Sequence, residues 1–138
     1  MGLAAAKTLL SRGASLGLCD TNPSLSKVVE AFPKDHQDRV LFEFVDITNR
    51  SALTSFLQAT KRRSRKAGGI ANIAGTGGHK LGNEEVWETS EEDFDFIISS
   101  NEKGLFHVLS KALTPGFLEE PGSILHITSM FSARGYQK

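Results

Sequence analysis

A single cysteine, Cys19, excludes an internal disulfide, and no cluster of cysteine and histidine has the spacing of a metal site. A reducing compartment, the cytoplasm, fits that usage. Net charge is lacking too: sixteen Lys+Arg balance sixteen Asp+Glu. No long-range field therefore draws nucleic acid or an anionic membrane, and small neutral partners are favoured. No apolar run reaches the roughly eighteen residues of a membrane span. The stretch from Met1 to Leu18 comes nearest to a secretion signal, but Lys7 and Arg12 interrupt it. Gly2 opens a myristoylation-like start, yet Ala6 stands where Ser or Thr belongs. There is no Gly-x-Ser-x-Gly elbow and no histidine with a Ser/Asp partner at triad-like positions, which argues against hydrolase chemistry.

What the sequence has is alternation. Leu3, Ala6, Leu9 and Leu10 recur at helical spacing, with Gly13 at the position of a helix C-cap. A short apolar run, 14–20, ends in Asp20, and Asn22-Pro23-Ser24 then starts a helix reaching about Phe32. Residues 39–45 are rich in β-branched and aromatic side chains, and Leu53, Phe56 and Leu57 mark a helix from Ser51 to Lys66. A third strand is expected over 69–75, a long helix from Ser90 to Leu113, and a fourth strand from Ser123 to Ser129. Strands alternating with helices imply right-handed crossovers and a parallel sheet covered on both faces, in one domain spanning 1–138. The loop from Thr76 to Glu85, with Gly77, Gly78 and Gly82, should run over the carboxyl edge of that sheet, where such folds bind ligands. The run Lys61-Arg62-Arg63-Ser64-Arg65-Lys66 falls at a helix C-terminus, where cations favour the macrodipole; a localisation or nucleic-acid patch is the rival reading.

Several sites then fall into order: Asp20, Asp46-Ile47, Asn72-Ile73-Ala74-Gly75, Asn101 and Ser129. In order and approximate spacing they resemble the classical short-chain dehydrogenase/reductase family over nearly the whole chain. The resemblance implies a Rossmann-like, doubly wound α/β fold. It aligns Gly2 with the last glycine of the family's Thr-Gly-x-x-x-Gly-x-Gly turn, eleven residues before Gly13 and eighteen before Asp20. It gives Asp20 the adenosine ribose hydroxyls, and so NAD rather than NADP, since a carboxylate repels a 2′-phosphate. A plain turn aspartate is the other reading of Asp20. Asp46 and Ile47 would lie beside the adenine, with a helix N-cap as the other reading of Asp46. Asn72, Ala74 and Gly75 would let the backbone approach the cofactor, Asn72 also tying adjacent strands. Asn101 would hold a water of the proton relay, or merely kink its helix. Ser129 would hydrogen-bond the reacting oxygen of the substrate.

The same resemblance sets out what these residues do not contain. The family's first strand is the central one in the order 3-2-1-4-5-6-7, so residues 1–138 should form an incomplete sheet in two halves with apolar unpaired edges. The catalytic Tyr-x-x-x-Lys would begin near position 142. Tyr136 comes seven residues after Ser129 and Lys138 two residues later, the wrong spacing for one helix face, so Tyr136 reads as a loop residue. The resemblance thus implies an NAD(P)-dependent oxidoreductase moving hydride between the cofactor and a secondary alcohol or ketone, such as a lipophilic pathway metabolite. It further implies homo-oligomers, no metal, and an inactive 138-residue piece. The alternative is a non-catalytic remnant that binds a nucleotide or a partner.

Overall fold

The computed structural model describes residues 1–80 and 83–129. Helix α1, Gly2–Ser11, ends in a Schellman-type cap: Gly13 takes φ 91°, its N–H donates to Leu10 O, and the Ala14 N–H reaches Leu9 O. Strand β1, Leu16–Asp20, pairs in parallel with β2, Val40–Phe44. Between them lie α2, Leu25–Glu30, and a one-turn helix α3, Lys34–Gln37. Asn22 does not start the helix as the sequence led us to expect. Its side chain accepts from Ser24 N–H, forming an Asx turn that delays α2 to Leu25. Pro33 divides the segment, since it ends one helix and opens the next.

Helix α4, Arg50–Ser64, leads to β3, Gly69–Asn72, which pairs in parallel with β4, Ser123–His126. Both strands stop short of the expected 75 and 129, because the ladder ends at the Asn72–His126 pair and its following bond, Ile127 N–H to Asn72 O. The helix expected from Ser90 to Leu113 is interrupted. It comprises α5, Glu91–Ile98, a π turn over Ser99–Lys103, and α6, Gly104–Ala112. Ser90 supplies the N-cap, accepting from Asp93 N–H. The sheet is in two halves, β1-β2 and β3-β4, with no ladder between them among the described residues. That is the separation implied by the family strand order.

Apolar packing joins the halves. Leu53, Phe56 and Leu57 on α4, Val45 after β2, and Val108 and Phe117 in and after α6 form one buried cluster. Cys19 of β1 and Ile70 of β3 pack against it, so each half-sheet contributes to a shared core. A smaller cluster of Leu10, Phe32 and Val40 lies under α1. Burying Leu53, which is 2% exposed, stabilises by roughly 1.5–3 kcal/mol. Gly17 brings β1 against α4, where an added Cβ would run into the Thr60 side chain. Burial pushes the Cys19 thiol up to about 11, helped by Asp20 and Glu43, so it stays protonated and unreactive near neutrality. Among the described residues no helix is long and apolar enough to cross a membrane.

Candidate functional site

Parallel pairing sends the carboxyl ends of all four strands to one side within each half-sheet, and the sequence-marked residues stand at those ends. Asp20 closes β1, exposed, with Oδ1 accepting from Asn22 N–H at 2.8 Å. It is a turn aspartate, and an exposed carboxylate at a strand end as well. Asp46 follows β2 and accepts from Thr48 N–H at 2.8 Å, while Asn49, not Asp46, caps α4 through Ala52 N–H. The N-cap reading of Asp46 is thereby corrected: Asp46 orders the turn that delivers Asn49 to the helix. Ile47 is half-buried against Gly104, where a Cβ would come within 2.7 Å of its side chain. Its carbonyl accepts from the buried His107 Nδ1 at 3.1 Å.

Asn72 ends β3, and the tie it makes to β4 runs through its backbone carbonyl. Ala74 and Gly75 follow, exposed, and a Cβ at Gly75 would stand 3.3 Å from Asn101 Oδ1. Asn101 lies within the π turn, where the Gly104 N–H reaches back to Ser99 O. The wider turn places its amide against Thr76: Nδ2 donates to Thr76 O at 2.8 Å and Oδ1 accepts from Thr76 N–H at 2.9 Å. Both backbone polar groups of one residue are held by one side chain. The π turn and the grip of Asn101 on the turn after Gly75 are therefore a single feature. Ser129 lies exposed just past β4, beyond Ile127. Gly2 begins α1, whose first turn carries no acidic residue, and a Cβ at Gly2 would meet nothing within 4 Å. Tyr136 and Lys138 lie outside the described residues, as does Gly82 of the candidate pocket wall.

Sequence reasoning missed a second fastening in that wall. Asp93, buried at the start of α5, accepts from His79 N–H at 2.9 Å and approaches His79 Nδ1 at 2.5 Å. The His79 ring stacks on Phe96, with centroids 4.4 Å apart. Gly78 makes the approach feasible, with φ 89° and an Asp93 oxygen 2.6 Å from where a Cβ would stand. The signal in the sequence was Gly-Gly-His fourteen residues before an acid in the first turn of a helix. Among the described residues no group of His, Cys, Asp and Glu could hold a metal.

A family profile described as Enoyl-(Acyl carrier protein) reductase matches residues 1–138. The chain belongs to the short-chain dehydrogenase/reductase family. It is 26% identical over 137 residues to the short-chain dehydrogenase/reductase ABA4 of Pyricularia oryzae, covering 99% of this chain and 50% of that protein. Over 102 residues it is 29% identical to the NADP-dependent 3-hydroxy acid dehydrogenase YdfG of Salmonella typhi, covering 73% of this chain and 40% of that one. To levodione reductase of Leifsonia aquatica it is 27% identical over 140 residues, 98% of this chain and 50% of the relative. A crystal structure of levodione reductase superimposes with a TM-score of 0.81 at 27% identity, over 98% of this chain and 52% of that chain. The chain spans about half the length of the curated relatives it matches.

Two outcomes test the geometry. Asn101→Ala leaves the Thr76 N–H and carbonyl unpaired and should cost about 1–3 kcal/mol in urea unfolding, whereas an unchanged midpoint would show the clamp to be idle. The second concerns acid. The His79 backbone N–H, with the His79 ring and Lys80, holds Asp93 below the ordinary carboxylate range against the opposing effect of burial. A depressed folded-state pKa stabilises above the unfolded value, and the contribution is lost as pH falls through the lowered one. Asp93→Asn should therefore flatten stability against pH on the acid side, and an unaltered slope would contradict the assignment.

Proposed function

We propose that this chain carries the cofactor-binding part of a nicotinamide-dependent oxidoreductase that moves hydride between the cofactor and a secondary alcohol or ketone. The observation that carries the reading is the Asn101–Thr76 clamp, which fixes the Asn72-to-Gly75 turn beside β4, with Ser129 three residues past that strand's end. The residues fit a dinucleotide. Gly75 and Ala74 are small and exposed, Asp20 presents a carboxylate, Ile47 offers an aliphatic wall, and Gly2 starts a helix whose first turn carries no acidic residue to oppose a phosphate. Bound there, the cofactor supplies the hydride or accepts it. The protein's part is to hold and to orient: Asp46 and Ile47 at the adenine, Asp20 at the ribose, and Ser129 donating to the substrate oxygen.

NAD over NADP rests on Asp20 alone, and a relative named as NADP-dependent stands on the other side. The substrate class is taken from a relative named for levodione and from the breadth of the family. Exposed Phe94, Phe106 and Leu113 support self-association, and the single half-buried thiol supports a cytoplasmic setting.

Within residues 1–138 no Tyr-x-x-x-Lys stands at the family distance from Ser129, and an absent acid/base group costs on the order of 10²–10⁴-fold in rate. The 138-residue polypeptide should give no measurable reduction of NAD or NADP with secondary alcohols. A polypeptide extended to carry the glycine-rich turn and that tyrosine should turn over, with NAD preferred and the preference reduced by Asp20→Ala. Turnover by residues 1–138 that disappears in Ser129→Ala or Tyr136→Phe would overturn the assignment, and cofactor binding without turnover in the extended protein would favour a binding module.

A further inference from the structure

At the opposite edge of the sheet, where α4 and α6 end and β3 and β4 begin, lies a cleft of about 430 Å³ lined by Gln58, Lys61, Arg62, Arg65, Lys111 and Phe117 among others. Four cations share this space in a chain whose overall charges balance. No carboxylate lines it, and the nearby Glu119 is paired with Lys66 at 3.6 Å.

Two helix C-termini meet here, and their dipoles attract cations. That accounts for part of the cluster. Lys61 donates to the carbonyls of Gly116 and Phe117, and Lys61 and Lys111 both stand over the Phe117 ring, 5.4 and 5.2 Å from its centroid. Arg62 and Arg65 are left over. Neither donates to a protein acceptor among the described residues, and both line the cleft. Arg65 also caps α4 at φ 61°, a left-handed position usually given to glycine, so a strained backbone holds a guanidinium where a residue without a side chain would be easier. Gathering unpaired like charges destabilises the fold unless something anionic neutralises them.

We propose that this cleft binds a small polyanion of the pyrophosphate or bisphosphate class, at a site remote from the dinucleotide face. Two guanidinium forks suit the paired oxygens of phosphate groups, and the two ammonium groups supply further neutralising charge. The ammonium groups already engage the Phe117 ring. Recognition is therefore by charge and not by stacking of a base. The proposal stands independently of the oxidoreductase reading.

Calorimetric titration with inorganic pyrophosphate, alongside inorganic phosphate, NAD and a single-stranded oligonucleotide, tests it. Pyrophosphate should bind with a Kd of about 100 µM or tighter and more strongly than the other three, and Arg62→Gln should weaken it about tenfold or more. Arg65→Gly should raise the melting temperature by relieving the cap while weakening pyrophosphate binding, a combination that a purely structural arginine would not produce. Overturning results are pyrophosphate no tighter than phosphate, affinity unaffected by either substitution, displacement of pyrophosphate by NAD, or preference for the oligonucleotide.

Discussion

The arrangement depends on one stretch of helix, residues 101 to 107, which fastens both halves of a divided sheet. Asn101 grips the backbone N–H and carbonyl of Thr76 beyond β3. Gly104, one turn later, admits the side chain of Ile47 from beyond β2, and His107 bonds the Ile47 carbonyl. With no ladder between β2's half and β3's half among the described residues, these side-chain contacts and the apolar cluster on α4 and α6 set where the strand ends lie relative to one another. Candidate cofactor-binding positions scattered over three loops are brought to one edge by a helix that contacts two of them.

The π turn is what makes this geometry available. In a continuous α-helix, side chains three and four apart share a face, and Asn101, Gly104 and His107 would follow that face without variation. A wide turn over Ser99–Lys103 inserts one extra residue and re-aims the face between Asn101 and Gly104. It also gives the helix two tasks: the α5 end holds His79 through Asp93, and the α6 end holds Ile47. Within the candidate pocket wall from Thr76 to Glu85, the stretch from Thr76 to His79 is thus fastened at both ends by the same interrupted helix.

The strands and the order of elements were legible because parallel strands read as short apolar runs and because Gly13, Asn22-Pro23 and Ser90 carry turn or cap chemistry of their own. Element ends were less so. Nothing local in Ile73-Ala74-Gly75 tells the chain that its ladder stops at Asn72; that depends on where β4 ceases to pair. Asp46 and Asn49 both look like helix caps, and only the folded turn decides between them. The π turn has no signature in apolar periodicity, so Asn101 was visible as a site residue through family resemblance while its two bonds to Thr76 were not. The His79–Asp93 pair and the Arg62–Arg65 cleft were hidden for a different reason, since each joins groups brought together by packing or by a left-handed cap.

The central claim is that the edge held together by Asn101, Gly104 and His107 is the dinucleotide face. The most direct measurement is backbone amide shift mapping during titration with NADH. The account predicts shifts concentrated at Asp20, Asp46–Ile47 and Ala74–Thr76, extending to Ser129. Shifts confined to the Arg62 and Arg65 cleft, or saturating binding that leaves all of those amides unmoved, would contradict it.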